Sequence, residues 1–208
     1  MNKAILFDFD GVLVDSFKIS YDSSVLVHHG KLTLKLYRKL FEGNIHESLG
    51  NKKFKLKKKE GVNFNDYYGP GLEKLDIIPN ASRVIKTLSK NYKLIIVSST
   101  PSIYIKRFFK RHKILKYFTQ ILGADFHTSK VNKIKYIFSK YSLKPKDCLF
   151  ITDTLGDVRE ARKCGTKSIA VTNGFHPVST LKKGKPFKII RGIENLPQAV
   201  NKYFNTKK

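Results

Sequence analysis

The 208-residue sequence predicts an α/β fold with a mainly parallel sheet and a small helical insertion near its N-terminus. Three observations lead to this prediction. Short apolar runs typical of buried strands alternate with stretches of helical periodicity. The segment 16–79 interrupts this alternation, because it contains helical apolar patches and no convincing strand. Several predicted strands also end in polar residues, and ligands of open parallel sheets bind at those carboxyl ends.

Four buried strands are predicted from short runs that are apolar on both faces. These runs are AILF at 4–7, KLIIVSS at 93–99, CLFIT at 148–152 and SIAVT at 168–172. Two weaker candidates follow the same pattern, QILGA near 120 and KIIRG near 188. Strands separated by helical stretches are typical of an α/β fold.

Two helices are predicted from apolar positions that recur at i, i+3, i+4 and i+7. The two sets are Ile105, Phe108, Phe109 and His112, and Ile134, Ile137, Phe138 and Tyr141. Pro101 is expected at the first helical position, with Thr100 as the N-cap. Gly165 is expected to end the helix that carries Val158 and Ala161.

The helical insertion is predicted to span 16–79, and the core domain to comprise 1–15 and 80–208. The apolar patches of the insertion are Tyr21, Val25 and Leu26, then Leu36, Leu40 and Phe41. Turn-forming residues punctuate these patches, among them Gly69, Pro70 and Gly71.

The composition indicates a globular chain with an unusual charge. The sequence is 41% hydrophobic, and 41 Lys and Arg against 16 Asp and Glu give a formal net charge of +25. Such a charge indicates attraction to phosphorylated metabolites, nucleic acid or acidic lipids, without distinguishing among them. No apolar stretch approaches the roughly 20 residues that span a bilayer, and no signal peptide is recognisable, so a cytoplasmic protein without membrane contact is expected. Cys148 and Cys164 have no metal or redox spacing and are expected in the core.

Four carboxylates are expected at one edge of the sheet. Asp8 and Asp10 follow the first strand, Asp153 follows a later strand, and Asp157 comes shortly after it. Unpaired carboxylates at such close range repel one another unless a cation lies between them. Hard oxygen ligands suit Mg²⁺, which also binds substrate phosphate. The direct succession of Asp10 and Gly11 excludes a helix–loop–helix calcium loop, and no P-loop motif is present.

A hydroxyl and an ammonium are expected at the same edge. Ser98 ends the strand at 93–99, and Lys130 opens the second predicted helix. A lysine is unusual in the first turn of a helix, where negative charge is preferred. Beside the other strand-end groups, Lys130 is a candidate phosphate clamp. A solvated lysine and a clamp at Lys133 are the alternatives.

Together these segments resemble the haloacid dehalogenase-like (HAD) superfamily, in particular its phosphatase and phosphomutase branch. DFDGVLVDS is similar to the first motif, D-x-D-G-[VT]-[LI]-x-D-S, and LIIVSS to the second, an apolar strand ending in Ser or Thr. Lys130 is similar to the third motif and FITDTLGDVREARKCG to the fourth, and the matches run in the family's order from residue 5 to about 173. Thr152 and Cys164 replace the usual Gly and Ala of the fourth motif. Asp10 argues against a true dehalogenase, because those relatives usually lack this residue.

The resemblance implies a Rossmann-like, doubly wound core with an α-helical cap inserted after the first motif. It implies that Asp8 is the nucleophile, forming an aspartyl-phosphate, and that Asp10 is the general acid and base. The implied ligands of Mg²⁺ are Asp8, Asp10 through its backbone carbonyl, Asp153 and Asp157. The implied phosphate-binding residues are Ser98, Ser99 and Lys130.

The implied function is Mg²⁺-dependent hydrolysis of a small phosphorylated metabolite, similar to that of phosphoglycolate phosphatases and their relatives. A sugar phosphomutase, a nucleotide or nucleic-acid phosphatase, and a non-catalytic phosphate-ligand binding protein are the alternatives. The sequence allows either a monomer or a homodimer.

The insertion is unusually basic between residues 31 and 60. It contains ten basic residues against three acidic ones; the basic ones are Lys31, Lys35, Arg38, Lys39, Lys52, Lys53, Lys55, Lys57, Lys58 and Lys59. If part of this charge faces the cleft, the substrate carries a second anionic group. A solvated basic surface is the alternative, and Phe54 among the lysines also allows a nucleic-acid contact.

Overall fold

Six parallel strands form the central sheet in the computed structural model, which describes residues 2–29 and 32–205. The described residues contain eight strands, of which β2 and β3 form a separate small sheet. In chain order the strands are β1 (Ala4–Phe7), β2 (His28–His29), β3 (Lys57–Lys58), β4 (Lys93–Val97), β5 (Gln120–Leu122), β6 (Cys148–Thr152), β7 (Lys167–Val171) and β8 (Lys188–Ile190). The order across the large sheet is β5-β4-β1-β6-β7-β8. All six predicted strands are therefore present, including the two weaker candidates.

Helices cover both faces of this sheet. In chain order they are α1 (Phe17–Val27), α2 (Leu34–Leu40), α3 (Ile45–Gly50), α4 (Phe64–Leu72), α5 (Ala81–Leu88), α6 (Ser102–Arg111), α7 (Lys130–Tyr141), α8 (Leu155–Lys163), α9 (Val178–Lys182) and α10 (Leu196–Asn205). Ile5 and Phe7 of β1 pack in one apolar cluster with residues of α5, α6 and α10. Ala4 and Leu6 pack in a second cluster with residues of α7 and α8. Alternate residues of a strand point to opposite faces, so the predicted doubly wound, Rossmann-like α/β fold is confirmed.

Local signals explain where the site-bearing helices begin and end. Ser129 caps α7 by accepting a hydrogen bond from the backbone of Asn132. Gly165 follows α8 with φ +73°, in the left-handed conformation expected after a helix. The prediction for α6 is wrong by one residue, because Pro101 occupies the N-cap position and the helix begins at Ser102. Cys148 and Cys164 are buried, as expected.

The segment between β1 and α5 consists mainly of α1 to α4, which we call the cap. The expectation of no strand in 16–79 is wrong, because β2 and β3 form a short antiparallel ribbon in which His28 pairs with Lys58. An apolar cluster around Tyr37 and Leu40 stabilises the cap. Lys31 lies outside the described residues, and the limits at 16 and 79 stay a prediction.

Two local readings of the cap also need correction. Val25 and Leu26 are 40% and 46% exposed, whereas Ser20 and Ser24 of the same helix are buried, because that face of α1 borders a cavity. Gly69, Pro70 and Gly71, which are predicted to interrupt the helical patches, all lie within α4. A Cβ at Gly69 would come within 2.7 Å of the Tyr104 ring, so the missing side chain allows α4 to approach α6.

Within the part of the chain that the structure describes, no helix is long and apolar enough to cross a bilayer.

Candidate active site

The carboxyl ends of β1 and β6 bring the predicted acidic residues together at the centre of the sheet. β1 lies between β4 and β6, so the chain winds outward from it in both directions. In open α/β sheets ligands bind at such a switch point. Asp8 follows β1 directly, Asp153 follows β6, and Asp157 lies in the first turn of α8. All three are buried.

Lys130 connects two of these carboxylates. Its Nζ atom lies 2.7 Å from Oδ2 of Asp8 and 2.7 Å from Oδ2 of Asp157. The Lys130 side chain is only 4% exposed, so the alternative of a solvated lysine is wrong. Thr152, which replaces the usual Gly of the fourth motif, donates its hydroxyl to Oδ2 of Asp157 at 2.7 Å. The departure from the motif therefore supplies a hydrogen bond to the acidic cluster.

Burial and the Lys130 ammonium act on this cluster in opposite directions. Burial raises the pKa of Asp8 well above its usual value, although Lys130 partly offsets this. Burial also opposes ionisation of Asp157, but the charge and hydrogen bonds of Lys130 outweigh it, so the pKa of Asp157 is lowered. For Lys130, burial is outweighed by Asp157 and Asp8, so the pKa of its ammonium is raised. Lys130 is therefore a cation, ionised beside an ionised Asp157.

Asp153 differs from the other acids because one of its oxygens lacks a partner. Oδ2 accepts a hydrogen bond from the backbone of Phe175 at 2.6 Å. Oδ1 is buried and has no hydrogen-bond partner among the described residues. Burial raises the pKa of Asp153 to about 7. A buried oxygen without a partner is destabilising unless a proton or cation occupies that position.

Two glycines make room for the Asp153 carboxylate. A Cβ at Gly11 or at Gly174 would lie 2.1 Å from Oδ2 of Asp153, a distance that no real contact allows. Gly11 also has φ +70°, a conformation that side-chain-bearing residues rarely adopt. The glycine of the first motif therefore serves both the turn after β1 and the approach of Asp153.

Asp10 accepts three hydroxyl hydrogen bonds. Ser16 donates to Oδ1 at 2.5 Å, Thr100 donates to Oδ2 at 2.6 Å, and Tyr68 of α4 also donates to Oδ1. Sequence reasoning missed Tyr68 and Thr100. Thr100 adjoins the predicted Ser98 and Ser99, which is a usable signal. Tyr68 is separated from Asp10 by 58 positions and has no motif of its own.

The serines after β4 have different environments. Ser98 is fully buried, and its hydroxyl accepts a hydrogen bond from the backbone of Thr100 at 3.0 Å. Ser99 and Thr100 line the cavity above the acids, whereas Ser98 does not. Ser98 thus supports the loop in this arrangement, and its role as a phosphate ligand stays a prediction.

Lys133, the alternative clamp, lies beneath the site. Its ammonium is fully buried and donates to the backbone carbonyl of Ser98. Burial, reinforced by the charge of Lys130, lowers the pKa of Lys133 to about 7. Because Lys130 lines the cavity and Lys133 does not, the geometry favours Lys130 as the clamp.

The acidic cluster opens into a cavity of about 450 Å³ between core and cap. Its core end contains Asp8, Asp10, Lys130 and Asp153, and its remaining wall comes mainly from the cap. Of the ten basic residues between positions 31 and 60, Lys58 alone lines this cavity within the described residues. Most of the cap charge thus lies on the outer surface.

The side chains alone do not form a metal site in this arrangement. Among residues 2–29 and 32–205, no three His, Cys, Asp or Glu side chains are placed to hold a metal ion together. Lys130 holds Asp8 and Asp157 instead. The donor chemistry nevertheless fits a hard cation, because the site offers buried carboxylate oxygens and Asp153 has one without a partner.

Comparison with known proteins identifies the family. The model of the family described as haloacid dehalogenase-like hydrolase matches residues 5–171. The chain belongs to this family. The sequence-based prediction of a HAD-like phosphatase is thereby confirmed at the level of family and enzyme class.

Individual relatives are distant but match over most of their length. The phosphoglycolate phosphatase of Vibrio parahaemolyticus is 23% identical over 95% of this chain and 96% of its own. A haloacid dehalogenase-like family hydrolase from Streptococcus pneumoniae has a TM-score of 0.77 at 23% identity, over 95% of this chain and 98% of its own. A predicted phosphoglycolate phosphatase from Haemophilus somnus has a TM-score of 0.74 at 21% identity, over 95% and 97%. The two solved structures share the fold of this protein.

Proposed function

We propose that this protein is a Mg²⁺-dependent phosphomonoesterase that acts on a small phosphorylated metabolite through an aspartyl-phosphate on Asp8. The observation that carries the proposal is the buried cluster in which Lys130 joins Asp8 to Asp157 at the end of a large cavity. Relatives named as phosphoglycolate phosphatases support the phosphate chemistry. The predicted cytoplasmic location fits a metabolite substrate and stays a prediction.

Asp8 is the proposed nucleophile. Its Oδ1 accepts a hydrogen bond from the backbone of Phe9 at 2.7 Å, and Oδ2 accepts one from Lys130, so the carboxylate is held rigidly. One of its oxygens attacks phosphorus while the bond from phosphorus to the leaving oxygen breaks. A carboxylate needs no base for this step once it is ionised.

Asp10 is the proposed general acid and base. In its protonated form it transfers a proton to the leaving oxygen in the first step. It then accepts a proton from the water that attacks phosphorus and breaks the bond to Asp8. Tyr68 and Thr100 hold the Asp10 carboxyl from opposite sides, which fixes its direction during both transfers.

Mg²⁺ would be held by the carboxylates of Asp8 and Asp153 and by the backbone carbonyl of Asp10, with support from Asp157. When bound, the ion neutralises charge that develops on the transferred phosphoryl group. Lys130 and Ser99, which line the cavity, would bind the phosphoryl oxygens, and Ser98 is expected to assist.

The test is phosphate release from a panel of phosphorylated metabolites and nucleotides, with and without Mg²⁺. We expect turnover that requires Mg²⁺ and falls at least 10³-fold in Asp8→Asn, because the amide cannot replace the nucleophile. Asp15→Asn is the matched control, since Asp15 is exposed and does not line the cavity. Turnover that survives in Asp8→Asn would overturn the nucleophile assignment.

A further inference from the structure

The cavity extends well beyond the space that a small leaving group needs. Its volume of about 450 Å³ lies within the range of pockets that enclose drug-sized ligands. The glycolate that gives the relatives their name has two carbons. A glycolate group would therefore fill only a small part of this cavity.

The cap contributes a predominantly apolar wall. The side chains concerned are Val27, Phe41, Ile45, Leu49, Leu56 and Phe64. Every carboxylate on the cavity surface belongs to the core, so the cap half contains no acidic group within the described residues. A leaving group with apolar surface would gain free energy by displacing water from this wall.

Some polar groups of the cap that line the cavity are already paired, whereas Nε2 of His46 is buried and has no hydrogen-bond partner among the described residues. The Ser20 hydroxyl is already paired with Tyr37 at 2.6 Å. Nδ1 of His28 lies 2.8 Å from the carbonyl of Ser24, and because a carbonyl only accepts, Nδ1 must donate. A sugar could pair a hydroxyl with His46, but the hydroxyls that face the aliphatic side chains would lack partners, which is unfavourable.

One position on the cap wall carries a positive charge. His28 and Lys58 lie directly opposite each other on β2 and β3, and both line the cavity. Their sequence neighbours His29 and Lys57 also pair but do not line it, as expected from the alternation of side chains along a strand. The ammonium of Lys58 makes this end of the cap wall suited to an anionic group.

We propose that the substrate is a phosphomonoester of a bulky, predominantly apolar alcohol that carries an anionic group remote from the phosphate. The apolar body packs against the cap wall, and the anionic group binds at His28 and Lys58. This inference rests on the proposed function, because it assumes that the phosphate lies at Asp8. It adds the class of leaving group that the cavity selects.

The experiment compares ethyl, benzyl and naphthylmethyl phosphate with 2-phosphoglycolate and glucose 6-phosphate. All are esters of aliphatic alcohols, so differences in reactivity owing to an acidic phenol are avoided. We expect kcat/KM to rise with the size of the apolar group, and to be at least tenfold higher for naphthylmethyl phosphate than for either metabolite. Preference for phosphoglycolate or the sugar phosphate would overturn the inference while leaving the proposed function intact.

Variants that fill the cavity test whether the preference for a large apolar group arises at the cap wall. Leu49→Trp and Leu56→Trp replace half-buried residues of the wall and should each lower the ratio of naphthylmethyl to ethyl turnover at least tenfold. Leu34→Trp is the matched control, because Leu34 is 47% exposed on the same cap and lies outside the cavity. Equal ratios in all three variants would overturn the inference.

A binding measurement separates this inference from the proposed function. Naphthylmethylphosphonate cannot be hydrolysed, so its calorimetric affinity does not depend on turnover. We expect it to bind the Mg²⁺-loaded protein at least tenfold more tightly than methylphosphonate. Tight binding without turnover of any ester would contradict the proposed function alone, and equal affinities would overturn the apolar cavity as a binding site.

Discussion

Asp10 is held by residues from three separate parts of the chain, which ties its geometry to the cap as well as to the core. Ser16 belongs to the first motif, Thr100 to the loop after β4, and Tyr68 to a cap helix. Burial and the adjacent Asp10 charge raise the pKa of the Tyr68 phenol well above its usual value. Tyr68 therefore remains a hydrogen-bond donor throughout any practical assay range.

Removing this donor should slow the proton transfers. We expect Tyr68→Phe to lower kcat about tenfold with little change in KM, because a hydrogen bond to a charged group contributes roughly 1.5–3 kcal/mol. Tyr67→Phe is the control, because the neighbouring Tyr67 is 43% exposed. An unchanged kcat in Tyr68→Phe, or a fall in KM and kcat together, would contradict the role of Tyr68 in positioning Asp10.

Asp153 should make the metal-free protein less stable as the pH rises. Burial raises its pKa from the usual 3.8 to about 7, so the unfolded chain releases this proton at lower pH than the folded protein does. The free energy of unfolding therefore falls between about pH 4 and pH 7, and the contribution of Asp153 to it is constant above pH 7.

Asp153→Asn should remove this destabilisation and abolish metal-dependent activity. We expect the metal-free variant to melt about 5 °C higher than the wild type at pH 8 and at a similar temperature at pH 4. Addition of Mg²⁺ at pH 8 should raise the Tm of the wild type and not that of the variant. A variant less stable than the wild type at pH 8 would contradict the assigned burial of an ionised carboxyl.

Loops of the cap directly contact the end of the core that carries the candidate site. The backbone of Gly156 in α8 donates to the carbonyl of Phe41 at 2.9 Å. A Cβ at Gly156 would lie 2.3 Å from the carbonyl oxygen of Gly43, so a glycine is required for this approach. Asn44 of the cap also donates to Glu160 of α8 at 3.2 Å. The helix that carries Asp157 therefore also positions the cap.

The β2–β3 ribbon offers a test with neighbouring lysines. Lys58→Ala should lower kcat/KM for 4-carboxybenzyl phosphate about tenfold and leave benzyl phosphate little changed, because only the former has an anionic group for Lys58 to bind. Lys57→Ala removes the same charge from the adjacent position, which does not line the cavity, and should affect neither substrate. Equal effects of the two variants would indicate a nonspecific effect of charge instead.

Sequence patterns predicted some elements of this fold better than others. The core strands were predictable because each is a short run that is apolar on both faces, as β1 and β6 illustrate. The cap was harder to predict, because its residues serve a cavity as well as a core. In α1 the serines face inward and Val25 is exposed, which reverses the usual pattern of an amphipathic helix.

The residues of the candidate site also differ in how well the sequence predicts them. Asp8, Asp10, Lys130, Asp153 and Asp157 follow strand ends or open helices, where sequence motifs are recognisable. Tyr68 reaches Asp10 only because the cap folds back over the sheet, and Lys58 reaches the cavity only through its pairing with His28. Contacts across such distances in sequence have no local pattern from which they can be predicted.

The net charge of +25 is distributed mainly outside the candidate site. Within the described residues, Lys58 and Lys130 are the lysines that line the cavity, while the remaining cap lysines do not. Lys130 is balanced by two carboxylates. We therefore expect selectivity for a substrate to depend on the shape and apolar character of the cavity and on Lys58, and the remaining charge to act mainly by attracting anions from solution.

Whether Asp8 is phosphorylated during turnover is tested most directly by mass spectrometry. The enzyme is quenched in acid while it turns over its best substrate with Mg²⁺. We expect a phosphoryl group on the peptide that contains Asp8, stable in acid for long enough to be detected and removed by hydroxylamine treatment. It should be absent from Asp8→Asn and present in Asp15→Asn. A phosphoryl group on any other residue would contradict the proposed nucleophile. Turnover by direct transfer to water, with no phosphoryl group on Asp8 at any quench time, would contradict it as well.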